Sequence, residues 1–290
     1  MRVLLTGSSG FIGRQVLAQL LRCGIETVVV GRTRPTDYGG EFIEADLLQL
    51  DSGNAAISNA RATHLLHVAW YVEHGKYWTS PLNLRWAEST VRLVELFCSL
   101  GGRKVVVAGT CAEYDWTIGY CVEDSTPLAP KTLYGTAKDA TRRLVTAVCD
   151  SHRVPCVWGR IFLPYGPGED RRRLIPSLID AFKGKRLPFG VNAMAYRDIL
   201  HVDDVAQGFV HLLNAEASGC YNISSGEPVL IAEIVRLIAE VYNVDPNHVL
   251  NLTSDRPGEP QMLVGDNSKL KALGWQPAYG ISGLATLLAY

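Results

Sequence analysis

With 290 residues, of which 47 % are hydrophobic and 20 % charged, the chain can form one large domain or a main domain with a lobe, and its balance excludes a disordered or fibrous protein. A formal net charge of −1 gives no overall field to draw it to nucleic acid or an anionic membrane, and no apolar run approaches membrane-spanning length. Seven cysteines without any Cys-x-x-Cys pair argue against zinc or a disulfide framework, so no metal is expected and a reducing cytoplasm fits.

Short apolar runs alternate with helical patterns through the first hundred residues. Strands are expected at Arg2–Leu5, Thr27–Val30, Phe42–Ile43 and Thr63–Ala69, with a helix from Phe11 to Cys23 between the first two. This is the rhythm of βαβ units on a parallel sheet. Val105 to Ala108 is a continuous apolar run of the kind that is covered on both faces, and it ends at Gly109-Thr110. Apolar residues at three- and four-residue intervals predict long helices over Asn83–Leu100 and Leu133–Cys149. From Pro164 the texture turns loop-forming, so a dinucleotide-binding domain over 1–165 and a substrate-binding lobe over 166–290 are expected, with some later elements returning to the sheet. The fold expected is α/β, a doubly wound Rossmann-type parallel sheet with a smaller C-terminal lobe.

Gly7-Ser8-Ser9-Gly10-Phe11-Ile12-Gly13 follows a strand and opens a helix, the context that makes a glycine pattern a dinucleotide site. Gly7 allows the tight turn, Gly10 lets a pyrophosphate approach the backbone, and Gly13 lets helix and strand pack closely, while the helix N-terminus offers unpaired N–H donors. At the end of the second strand, where an acidic residue would hold ribose hydroxyls, Gly31-Arg32-Thr33-Arg34 stands instead. Two arginines suit a doubly charged 2′-phosphate, so NADP(H) is expected over NAD(H). Asp46-Leu47, after the third strand, is placed to meet the adenine.

Tyr134 and Lys138 stand one helical turn apart on one face, an acid/base unit in which a nearby cation stabilises the phenolate so that the tyrosine can exchange protons near neutrality. Thr110 ends its strand with a hydroxyl able to donate to a substrate carbonyl. These residues, with Asn83 before a long helix, Tyr165-Gly166-Pro167 and Arg197 to Asp204, resemble in order the motifs of extended short-chain dehydrogenases/reductases of the nucleotide-sugar epimerase/dehydratase kind. The resemblance implies a homodimer and a nucleotide-diphosphate sugar as substrate. It also implies Thr110, Tyr134 and Lys138 as catalytic triad, Lys138 on the nicotinamide ribose, Ser9, Phe11, Ile12, Leu47 and Ala69 against the cofactor, and Arg256 on the substrate diphosphate. Trp70, Cys111, Ala112, Phe162 and Arg197 are the further substrate-binding candidates.

Departures from the family pattern narrow the chemistry. Dehydratases carry an Asp-Glu pair after the catalytic Thr; here Cys111 and Ala112 stand there. The reading is therefore an NADPH-dependent 4-ketoreductase of a nucleotide-linked 4-keto-6-deoxy sugar. A 4-epimerase that retains its NAD(P) is the alternative, and a non-catalytic NADP-sensing protein the third. Trp70-Tyr71 and Tyr77-Trp78 are placed near nicotinamide and sugar, whereas His74 reads as structural.

Overall fold

In the computed structural model, β1 (Arg2–Thr6) is buried from Val3 to Thr6, Val3 and Leu5 facing one layer and Leu4 the other, as a strand covered on both faces requires. The structure describes residues 1–52, 54–252, 254, 258–281 and 283–284, the side chains of 50–56 excepted. After β1 come α1 (Phe11–Arg22), β2 (Glu26–Gly31), β3 (Glu41–Glu44), α2 (Asn54–Asn59), β4 (His64–His67), α3 (Leu82–Ser99) and β5 (Lys104–Thr110). Then follow β6 (Tyr120–Cys121), α4 (Leu133–His152), β7 (Cys156–Ile161), β8 (Leu163–Tyr165), α5 (Leu174–Phe182), β9 (Tyr196–Arg197) and β10 (Ile199–His201). The chain continues with α6 (Val202–Asn214), β11 (Gly219–Ile223), β12 (Val229–Leu230), α7 (Ile231–Val241), α8 (Asn247–Leu250), β13 (Met262–Gly265) and α9 (Ser268–Lys271).

Seven strands make one parallel sheet in the order β3-β2-β1-β4-β5-β7-β11, with α1 and α6 packed together on one face and α3 with α4 on the other. The fold is thus the Rossmann-like α/β arrangement that the alternating pattern predicts. The strand order reverses between β1 and β4, so the loops after these strands diverge and leave a crevice at the carboxyl edge of the sheet. His67 ties the crevice floor together: its Nδ1 lies 2.7 Å from Thr6 Oγ1 on β1 and its Nε2 3.0 Å from Thr90 Oγ1 on α3. Burial pushes this imidazole down to about 3, so it is neutral and holds both hydroxyls by hydrogen bonds alone.

A third core, built from Tyr165, Ile175, Leu178, Phe182, Ile199, Ile234, Val235 and Ile238 among others, lies under α5 and α7. β8 pairs with β10, and β12-β9-β13-β6 form a small four-stranded sheet. Position 165 is no clean cut. β6, from the first half, pairs with β13 near the far end of the chain, whereas α6 and β11 lie against or within the main sheet. Two-residue strands carry no periodicity of their own, so β6 is not visible in the sequence pattern.

Candidate active site

At the N-terminal edge of the crevice Gly7 adopts φ +78°, and a Cβ there would stand 2.6 Å from the backbone N of Ala69. Only a residue without a side chain lets the loops after β1 and β4 approach so closely. A Cβ on Gly13 would fall 1.9 Å from Gly7 O, so α1 enters directly under the turn, and Gly10 caps it with no side-chain bond to its first N–H groups. The result is a set of open donors at a helix N-terminus, the arrangement that receives a pyrophosphate.

From this loop one cleft of about 960 Å³ runs along the sheet edge. Its walls include Gly7, Ser9, Gly10, Phe11, Ile12, Gly13, Arg32, Asp46, Leu47 and Ala69 at one end, then Thr110, Tyr134 and Lys138, with Trp70, Cys111, Ala112, Phe162 and Arg197 beyond. The volume and the uncapped glycine turn fit an extended dinucleotide with a second ligand beside it. Two expectations end differently. Arg34 is not on the cleft wall: its Nη1 donates to Tyr38 O at 3.1 Å and Gly40 O at 2.9 Å, and its guanidinium lies 5.3 Å from the Phe42 ring centroid. A loop that must turn between β2 and β3 leaves carbonyls unpaired, and the nearest guanidinium satisfies them. Arg32 alone of the pair reaches the cleft. Arg256 lies outside the described residues, although its neighbours Gly258, Glu259 and Pro260 line the wall.

Thr110 is fixed from below. It begins a 3₁₀ turn over Cys111–Glu113, its hydroxyl accepting from Ala112 N at 3.2 Å, while the Glu113 carboxylate accepts from Thr110 N at 2.9 Å. Glu113 is fully buried and also accepts from Trp158 Nε1 at 2.9 Å and Arg160 Nε at 2.8 Å; Arg160 goes on to donate to Tyr114 Oη at 2.9 Å. A Cβ at Gly109 would stand 2.1 Å from Trp158 Nε1, so this residue too must be glycine. Sequence reasoning missed the support that Glu113 and Arg160 give to Thr110, because a carboxylate three residues after a strand-end threonine gives no sign that it points into the core.

Tyr134 lies in the first turn of α4, whose N-cap Thr132 accepts from Gly135 N at 3.1 Å. Burial pushes the Tyr134 phenol up, and a hydrogen bond with the Thr110 hydroxyl pulls it partly back. Lys138, one turn on, is driven down to about 7 by burial, with Glu113 opposing. Its Nζ donates to Ala108 O at 2.9 Å and stands 3.8 Å from the Trp70 ring centroid, so it is the backbone and an indole, not the phenol, that engage it. Tyr77, Trp78 and Trp116 stand around Tyr134, Tyr77 edge-on at 4.9 Å and Trp78 at 5.7 Å between centroids. Trp116, another omission, reaches this wall because its Nε1 donates to Cys111 O at 2.8 Å. His74 does not line the cleft.

Gly135 sets the distance between Tyr134 and Thr110, since a Cβ there would stand 2.3 Å from Ala112 O and 2.9 Å from Pro130 Cβ. Within an open helix Gly→Ala would stabilise by about 1 kcal/mol. Here overpacking reverses the sign, and Gly135→Ala is expected to destabilise by about 1–3 kcal/mol. Urea unfolding checks this; a variant as stable as its parent would refute the close packing.

The chain as a whole resembles known proteins. A family model described as the NAD dependent epimerase/dehydratase family matches residues 3–224, more than half of the chain. The chain belongs to that family. A UDP-glucose 4-epimerase of Azospirillum brasilense is 26 % identical over 307 residues, covering 96 % of this chain and 88 % of that protein. A trifunctional UDP-glucose 4,6-dehydratase/UDP-4-keto-6-deoxy-D-glucose 3,5-epimerase/UDP-4-keto-L-rhamnose-reductase of Arabidopsis thaliana is 26 % identical over 298 residues. The match takes 94 % of this chain but 44 % of that relative, so the chain spans less than half its length. The solved UDP-glucose 4-epimerase of Thermus thermophilus, in complex with NAD, superposes with a TM-score of 0.85 at 26 % identity, over 99 % of this chain and 98 % of the other. The names of these relatives are those of enzymes acting on nucleotide sugars, and the Thermus thermophilus structure holds NAD. No helix among the described residues is long and apolar enough to cross a membrane.

Proposed function

We propose that the chain reduces the C4 carbonyl of a nucleotide-linked 4-keto-6-deoxy sugar with NADPH. The observation that carries this reading is the company Tyr134 keeps. Thr110 and Lys138 share its end of the cleft, while Cys111, Ala112, Tyr77, Trp78 and Trp116 supply no carboxylate beside it. Cys111 and Tyr77 are both pushed up by burial, so neither is a ready base toward a carbon acid, and the carboxylates on the cleft wall stand elsewhere: Asp46 after β3, Asp170 paired with Arg172 and Glu259 with Arg197. What remains is hydride transfer at a carbinol carbon.

The cofactor, when bound, supplies the hydride. Tyr134, a neutral phenol at pH 7, donates its proton to the C4 oxygen, Thr110 holds that oxygen by its hydroxyl, and Lys138 faces the nicotinamide ribose. A protonated phenol is the form that reduction needs at its start, whereas oxidation begins from phenolate. The indole N–H groups of Trp70 and Trp116 are already bonded to Asn83 and Cys111, so both rings offer carbon surface, which suits a deoxygenated sugar. A ketoreductase step stands in the name of the Arabidopsis relative, which supports the reading.

A second reading, 4-epimerisation with a retained cofactor, is favoured by the NAD-bound epimerase of Thermus thermophilus. Net NADPH consumption with nucleotide-linked 4-keto-6-deoxy sugars supports reduction. Interconversion of C4 stereoisomers without net consumption would move the chain to epimerisation. Arg32 on the cleft wall, with no carboxylate at the end of β2, supports NADPH over NADH. Arg32→Ala is expected to weaken NADPH about tenfold, the scale of one lost charge-assisted contact, and to leave NADH unchanged in a fluorescence titration. Equal or tighter binding of NADH by the parent would remove the NADP assignment.

A further inference from the structure

Lys138 is a buried ammonium with few groups to hold it. From β5 it receives the Ala108 carbonyl at 2.9 Å. From the 3₁₀ turn it feels Glu113, whose oxygens are bonded to Thr110 N, Trp158 Nε1 and Arg160 Nε rather than to Lys138. His67 faces it from β4 and is neutral, and the Trp158 ring of β7 is 5.9 Å away. On its own helix Tyr134 is a neutral phenol and Asp139 is tied to Arg142 and Arg143. The closest approach is to Trp70, whose ring centroid lies 3.8 Å from Nζ.

We propose that Trp70 is the positioning residue of Lys138, its indole face holding the ammonium at the cleft floor and favouring the charged form. An ammonium over an indole is attracted by the ring quadrupole, most strongly where water is excluded. The indole is itself held. Its Nε1 donates to Asn83 Oδ1 at 2.9 Å, and the fully buried Asn83 donates through Nδ2 to Tyr77 O at 2.7 Å and Ser80 O at 2.9 Å. Trp86 at 6.3 Å and Tyr134 at 6.5 Å between centroids complete the packing. Asn83, at the start of α3, thereby reaches Lys138 on α4 through one ring. The inference rests on the preceding functional reading only for its consequence, that Lys138 faces the cofactor; the hold of Trp70 on Lys138 is a property of the protein alone.

The test follows the Lys138 side chain by NMR in protein labelled with ¹³C-lysine, assigned through Lys138→Arg. In Trp70→Leu the titration midpoint should fall by about one pH unit, the scale of a desolvated cation–π contact, and Trp70→Phe should restore at least half of it. Trp70→Met, which keeps bulk without a π face, serves if Trp70→Leu does not fold. An unchanged midpoint in Leu or Met, or a fall in Phe as large as in Leu, overturns the proposal. NADPH affinity against pH is then compared in parent, Trp70→Leu and Lys138→Met; titration of the cofactor's own 2′-phosphate persists in Lys138→Met and is subtracted. A midpoint that moves by NMR while affinity ignores Lys138 upholds the hold of Trp70 and removes Lys138 from the cofactor site.

Discussion

Tyr134→Phe is expected to lose about 10²–10⁴-fold in kcat while keeping its affinity for cofactor and sugar nucleotide, because only the hydroxyl and not the ring is removed. The ring matters separately. It packs edge-on to Tyr77 and Trp78, and Phe preserves those contacts. Turnover is followed by NADPH absorbance with a panel of nucleotide-linked 4-keto-6-deoxy sugars, sugars without a keto group serving as controls. An unaltered rate in Tyr134→Phe would eliminate the assigned acid. Lys138→Met should by contrast damage both turnover and cofactor binding, since the same side chain faces the nicotinamide ribose in the proposed arrangement.

Glu113→Gln is expected to have the largest effect on stability. Glu113 and Arg160 are 0 % and 1 % exposed, and removing the negative charge leaves a buried guanidinium without compensation, which costs about 3–5 kcal/mol. That is a large share of the 5–15 kcal/mol that holds a typical domain folded. Adding Arg160→Met should recover part of the loss, because the uncompensated charge then disappears with its partner. Denaturant unfolding of the single and double variants decides it. A single variant within about 1 kcal/mol of the parent would show the pair to be dispensable. Since Glu113 also receives the Thr110 N–H, a folded single variant should lose turnover through a displaced Thr110 hydroxyl.

The sheet and the phosphate loop were legible because their signals are local. Val3, Leu4 and Leu5 advertise a strand covered on both faces, and the spacing of Gly7, Gly10 and Gly13 states how closely backbone must approach backbone. That Tyr134 and Lys138 share one helix at a spacing of one turn was legible for the same reason, whereas the partners that engage Lys138, the Ala108 carbonyl and the Trp70 ring, were not. Arg34 was misplaced because its choice between a ligand phosphate and its own loop carbonyls depends on how the loop turns. The inward aim of Glu113 and the place of Trp116 in the aromatic wall depend on partners far along the chain, such as Arg160, or on a turn only three residues long. Gly135 carries no local signal of its own, since the Ala112 carbonyl and Pro130 that require a glycine there lie outside its helix.

The pairing of β6 with β13 sets an order of events as the chain leaves the ribosome. The phosphate loop, Thr110, Tyr134 and Lys138 have all emerged by Lys138, yet Tyr120 and Cys121 must wait for Val264 and Gly265 to complete their ladder. Asn222 waits as well, since its Nδ2 bonds both Cys121 O and Asp266 O. Until then the aromatic wall around Tyr134 lacks the opposite bank at Gly258 to Leu263, and the edge of β6 presents unpaired backbone to whatever is nearby. The main sheet waits as well, since β7, α6 and β11 join it only after Lys138 has been made, so the nascent chain keeps an open, unpaired flank for the whole time it takes to make the second half.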